Sequence, residues 1–136
     1  MTPTFNVVSL VVADMGRSLA FYRRLGLDLP STADAEPHVE CGLPGGLRLL
    51  WDTEELIRSI DSTWSPAQGG NRMGLGFRCA DAAEVDRVYA DLLDAGYAGK
   101  MAPWDAFWGQ RYAVVHDPDD NGVDLFASLP EAATAP

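Results

Sequence analysis

The sequence predicts an α+β fold made of two repeated βαβββ modules, and three observations carry that prediction. Asp14 and Asp81 stand 67 positions apart (81 − 14), each after an apolar, strand-like run and each before residues with helical apolar spacing. Both helical stretches are closed by a glycine, Gly26 and Gly96, as helices ending in a left-handed residue are. The segment from Arg111 to Phe126 reads as a β-hairpin, an aromatic and β-branched run, then turn-formers from Asp117 to Gly122, then a second apolar run. A strand, a helix and three further strands are too few to bury a sheet face alone, so two such modules are expected to pack together.

Taken in order, Phe5 to Val12 is nearly all apolar, the pattern of a strand buried on both faces. Asp14 then caps a helix carrying Met15, Leu19, Tyr22 and Leu25 on one face. Leu27–Leu29, Val39–Leu43 and Leu47–Trp51 read as three short strands separated by turns at Pro37 and at Pro44 to Gly46. Leu56, Ile57 and Ile60 are spaced for a short helix, which completes a first module over about 5–60. Residues 61–72 contain Pro66, Gly69 and Gly70 and read as a linker. The second module, about 73–129, opens with a strand at Gly74–Cys79. It continues with a helix capped by Asp81, with Glu84 at the capping-box position and an apolar stripe of Val85, Val88, Tyr89, Leu92 and Leu93. Residues from Pro130 onwards read as a frayed tail.

A chain of 136 residues with 47% hydrophobic content can bury one core and forms one ordinary domain, here 1–136. No apolar run reaches the roughly 20 residues that span a bilayer, and the first residues lack a basic segment followed by an apolar one. No membrane association and a cytoplasmic location are therefore expected. Twenty acidic residues against ten basic ones, a net charge of −10, argue against nucleic acid and favour a cationic ligand at long range. Cys41 and Cys79 lie in separate apolar stretches and read as free thiols. No nucleophile elbow, phosphate-binding loop or dinucleotide fingerprint occurs.

The segments VVADMGRSLAFYRRLGLDL and WGQRYAVVHDPDDNGVDLF together resemble the vicinal-oxygen-chelate superfamily of glyoxalases, ring-cleaving dioxygenases and bleomycin-resistance proteins. The resemblance runs from about Val7 to Leu129. It implies paired βαβββ modules whose strands form a curled mixed sheet around an open cleft, in a homodimer. In catalytic members it also implies a divalent metal held by His and Glu from the first and last strands of each module. Those positions fall here on Val7, on Gly74 or a neighbour, near Leu49 or Trp51, and on Asp124, where Glu is usual. Only Asp124 can coordinate a metal, and one carboxylate is too few, so neither a metal nor another cofactor is expected and no catalytic residue is assigned. Asp120 stands where the family's turn has glycine, at a position that favours a left-handed backbone.

Aromatic residues are what remains to recognise a ligand. Trp51 ends a predicted strand, Trp64 lies in the linker, and Trp104, Phe107 and Trp108 crowd a segment whose Pro103 and Gly109 suit a loop. Tyr22, Phe77, Tyr89 and Phe126 read as core. With these rings the ligand-binding set comprises His38, Leu49, Met73 and Met101, together with Tyr112 and Asp124. The metal-lacking, bleomycin-resistance-like pattern implies capture of an aromatic or cationic natural product without turnover. Two alternatives stay open: a lyase, isomerase or dioxygenase of the same fold, and a regulatory binding module.

Overall fold

Asp14 and Asp81 both cap helices: their carboxylates accept the backbone N–H of Arg17 and of Glu84, each at 2.9 Å. In the computed structural model of the protein, residues 2–67 and 72–130 are described, so Gly69 and Gly70 of the expected linker and the tail from Glu131 lie outside the described residues. The chain divides into two units, Met1–Gly69 and Gly70–Pro136.

In the first unit the element order is β1 (Val7–Val12), α1 (Met15–Arg24), β2 (His38–Gly42), β3 (Arg48–Thr53) and α2 (Glu54–Ile60). The strands pair in the order β1-β3-β2, β1 parallel and β2 antiparallel to the central β3. A parallel pair needs a crossover, which α1 and β2 supply. Leu10 and Val12 are buried with Leu19, Phe21 and Tyr22 of α1, whereas on the alternate face Ser9 is exposed and Val11 only half-buried. β1 is therefore fully buried on one face only, not on both as its apolar run predicts. α2 is capped by Thr53, whose hydroxyl accepts the N–H of Leu56 at 3.1 Å.

Leu27–Leu29 does not form the expected strand. Arg23 takes the carbonyls of Leu29 and Pro30 at 2.6 and 2.8 Å, and Leu27 N–H is bonded to the carbonyl of Tyr22. Backbone groups satisfied this locally are lost to a ladder, and a 3₁₀ turn over Ser31–Ala35 follows instead. The first unit thus has three strands, not four.

The second unit follows the βαβββ order: β4 (Gly74–Arg78), α3 (Ala82–Asp94), β5 (Gly99–Ala106), β6 (Gln110–His116) and β7 (Gly122–Ser128). Its sheet runs β4-β7-β6-β5, with β4 parallel to β7 and the other pairs antiparallel. The strands are thus bonded into two separate sheets of three and four, where a single curled sheet was expected. Glu84 closes the cap of α3 by accepting the Ala80 N–H at 2.9 Å, one residue before the usual capping-box donor. The first residue of β5 is glycine for a steric reason: a Cβ on Gly99 would lie 2.2 Å from the Tyr89 hydroxyl.

The β6–β7 hairpin forms where its turn residues predict. Asp117 accepts the backbone N–H groups of Asp119 and Asn121 at 2.9 and 2.8 Å, and Asp120 holds a left-handed φ of 65°. Ala113, Val115, Val123, Leu125 and Ala127 are buried on the face that α3 covers together with Val85 and Leu92. Cys41 and Cys79 are free thiols in different units. Among the described residues, no helix is long and apolar enough to cross a membrane.

Candidate functional site

Side chains alternate across a strand, so the residues between the buried ones of β6 and β7 must face away from α3. These are Tyr112 and Val114 on β6, and Asp124 and Phe126 on β7, all half-buried. Register extends the face to both edges of the sheet. Tyr112 pairs with Phe126 and Trp104, Val114 with Asp124 and Met101, and Asp124 and Phe126 with Gly76 and Arg78 of β4.

Trp104 corrects the sequence reading, for it lies within β5 and not in a loop. Proline removes a backbone donor and is tolerated at bulges and on edge strands. β5 is the edge strand, and its register slips between Met101 and Trp104, around Pro103. The slip brings Met101 and Trp104, three residues apart, opposite Val114 and Tyr112, and Trp104 Nε1–H donates to Met101 Sδ at 3.1 Å.

Phe107 and Trp108 occupy the tight β5–β6 turn, which closes at Gly109 with a φ of 94° that favours glycine. Trp108 is the hub of a ring cluster: its centroid lies 5.0 Å from Phe107, 5.2 Å from Tyr112 and 5.6 Å from Trp104, each nearly edge-to-face. Its Nε1–H donates to Gln110 at 2.8 Å. These rings are not core, since Phe107 is 91% exposed, Trp108 48% and Trp104 36%. Burial pushes the Tyr112 phenol above its ordinary value, helped by the Asp124 charge and the hydrogen bond to that carboxylate. Asp124, a carboxylate on an otherwise apolar strand, thus has a polar neighbour in the phenol.

The remaining sequence-predicted residues are not on the strands of this face. Met73 is exposed just ahead of β4. Leu49 and Trp51 are core residues of the first unit, where Trp51 is 0% exposed and meets Tyr22 edge-on at 5.5 Å. Alternation along β3 sends both toward α1 and leaves Leu50 on the opposite face. Trp64 carries the Arg58 guanidinium over its ring at 5.3 Å, a cation–π contact made within the protein. Phe126, expected in the core, joins the open face instead. Sequence reasoning also passed over Arg78, although the period of two in GLGFR places it on one side of β4 with Gly74 and Gly76.

His38 of the first unit is bonded at both nitrogens, Nδ1 to Asp52 at 2.5 Å and Nε2 to Glu40 at 2.8 Å, and Glu40 also pairs with Arg48. The Glu40 and Asp52 hydrogen bonds raise the His38 pKa above its ordinary 6.5. A raised folded-state value stabilises fully below pH 6.5, and that contribution is lost as pH rises through the folded value. Thermal melts should therefore show wild type ahead of His38→Gln below pH 6.5, with the gap closing as pH is raised above it. A gap independent of pH would mean that the imidazolium contributes nothing.

Residues 4–125 match the family model described as Glyoxalase/Bleomycin resistance protein/Dioxygenase superfamily. The chain belongs to that superfamily. Solved structures of similar fold include a glyoxalase/bleomycin resistance protein/dioxygenase from Nocardioides, 24% identical with a TM-score of 0.72 over 96% of this chain and 86% of that one. A family enzyme of the same description from Burkholderia phytofirmans PsJN is 18% identical, with a TM-score of 0.77 over 91% of this chain and 98% of its own. A protein of unknown function from Agrobacterium tumefaciens str. C58 is 27% identical, with a TM-score of 0.69 over 95% and 97% of the two chains. No curated protein matches the chain. The divalent metal of the superfamily's catalytic members finds no fitting donor set among the described residues of either unit. Among the described residues no three of His, Cys, Asp and Glu are grouped to hold an ion. Asp124 is flanked by Gly74, Gly76 and Tyr112, and the two bonds of His38 hold its carboxylates on opposite sides of the ring.

Proposed function

We propose that this member of the superfamily is a binding protein that captures a flat aromatic or cationic natural product on the open face of its second sheet, protecting by stoichiometric sequestration. The observation that carries the reading is the exposed cluster of Trp104, Phe107 and Trp108 around Tyr112, with the Asp124 carboxylate beside it. Its magnitudes are sufficient. A ligand burying about 300 Å² of apolar surface gains roughly 7 kcal/mol at about 25 cal/mol/Å², before association costs. A cation over an indole face adds roughly 0.5–2 kcal/mol, which brings the gross gain to roughly 7.5–9 kcal/mol before those costs are deducted.

A second reading, an isomerase, lyase or dioxygenase of the same fold, draws on the neighbouring Tyr112 and Asp124, since a phenol beside a carboxylate can exchange a proton with a ligand. Titrating tryptophan fluorescence with a panel of aromatic antibiotics, then recovering each compound for mass spectrometry, separates the readings. Saturation at one equivalent with the compound returned unchanged is the expected result. Progressive conversion of the compound would replace capture with catalysis.

A further inference from the structure

We propose that Arg78 is the anion-binding end of the open face, so that the ligand is a flat aromatic acid with its carboxylate on the guanidinium and its rings along Phe126, Tyr112 and Trp104. This rests on the reading of that face as a ligand site and narrows the class of molecule it takes.

Arg78 is distinguished by what it lacks. In this acid-rich chain Arg23, Arg48, Arg58, Arg87 and Arg111 are all ion-paired. Among the described residues the Arg78 guanidinium has no ion pair or side-chain hydrogen bond, although it lines a cavity of about 620 Å³ that Glu84 also lines. Glu84 is already engaged, one oxygen taken by the Ala80 N–H and the other by Arg87 at 3.1 Å. Asp124, the carboxylate of the open face, stands beside Tyr112 and forms no ion pair with Arg78 among the described residues. Arg17 on α1, Arg72 just ahead of β4 and Lys100 on β5 likewise have no ion pair among the described residues, but none of them lines the cavity beside Phe126.

The cavity and the ring face are continuous through one residue. Phe126 lines the cavity with Arg78 and Ser128, and it pairs in register with Tyr112, which pairs with Trp104. Strands stand about 4.8 Å apart, so the row from Arg78 through Phe126 and Tyr112 to Trp104 is roughly 14 Å long. That span suits two fused rings with an acidic group at one end. Gly76, next to Arg78 on the same side of β4, adds no side chain; a Cβ there would press on Phe126 at 3.3 Å. The guanidinium fork matches a carboxylate in shape and charge. The net charge of −10 opposes an anion at long range, but salt screens that field beyond about 8 Å, and a contact pair lies well inside this distance.

The test uses naphthoic acid and naphthylmethanol, which share their rings and differ in charge, titrated by calorimetry into wild type, Arg78→Met and Trp108→Ala. Wild type should bind the acid about tenfold tighter than the alcohol, and Arg78→Met should bind both at the alcohol's affinity. Trp108→Ala should weaken both probes while keeping the preference for the acid. An acid bound no tighter than the alcohol, or a preference that survives Arg78→Met, overturns the role of Arg78 and leaves the ring face standing. If neither probe binds, or Trp108→Ala binds the alcohol as wild type does, the ring face itself fails and the anion end falls with it.

Discussion

Replacing Trp108 with alanine is expected to weaken ligand binding about fiftyfold or more while lowering stability by only about 1–2 kcal/mol. The two numbers come from different surfaces of one side chain. An indole that gives about 100 Å² to a bound ring contributes about 2.5 kcal/mol at 25 cal/mol/Å², which is roughly seventyfold in affinity. Its contribution to folding is limited because Trp108 sits on a turn, half exposed, with three edge-on ring neighbours and one hydrogen bond to Gln110. Ring pairs of this kind are worth about 0.5–1.5 kcal/mol beyond their area, and Trp104, Phe107 and Tyr112 can close partly over the gap. Calorimetric titration with urea unfolding of the same preparation reads both quantities. A variant that loses several kcal/mol of stability would place Trp108 in the core and remove the best anchor of the proposed site.

Much of the fold was legible because local chemistry and tertiary structure agree. Asp14, Asp81, Gly26 and Gly96 are the residues that helix ends select, and Asp117 to Asn121 can only turn. Leu27–Leu29 misled because its apolar pattern is that of a strand, while the competing claim on its backbone comes from the side chain of Arg23, outside the segment. The site was half legible for a related reason. Aromatic residues near Pro103 and Gly109 announced a crowded segment, but composition does not say which face a ring takes. Pro103 argued against a strand, yet at an edge bulge it costs no ladder bond, and the resulting slip sets Trp104 beside Met101. Arg78 went unread because its interest lies in a missing partner, and partners belong to the folded state. Trp51 shows the converse: type and predicted strand end made it a ligand candidate, and only burial against Tyr22 shows that it belongs inside.

Trp51 therefore carries the opposite expectation from Trp108: Trp51→Ala should cost about 3–5 kcal/mol of stability, the usual loss when a large buried ring is deleted. The phenylalanine variant should cost far less, and the reason lies in a single atom. Trp51 is fully buried, and its Nε1–H has no hydrogen-bond partner among the described residues. A buried donor left unsatisfied is a penalty of about 1–3 kcal/mol that the folded protein already carries. Phenylalanine removes that donor and keeps an aromatic edge for Tyr22, so the relief offsets much of the lost volume and a net cost of about 1 kcal/mol or less is expected. Urea unfolding of the two variants against wild type measures the difference directly. Equal losses for alanine and phenylalanine would show that indole volume alone matters at this position. A phenylalanine variant that kept its stability but lost ligand binding would return Trp51 to the set of residues that touch the ligand.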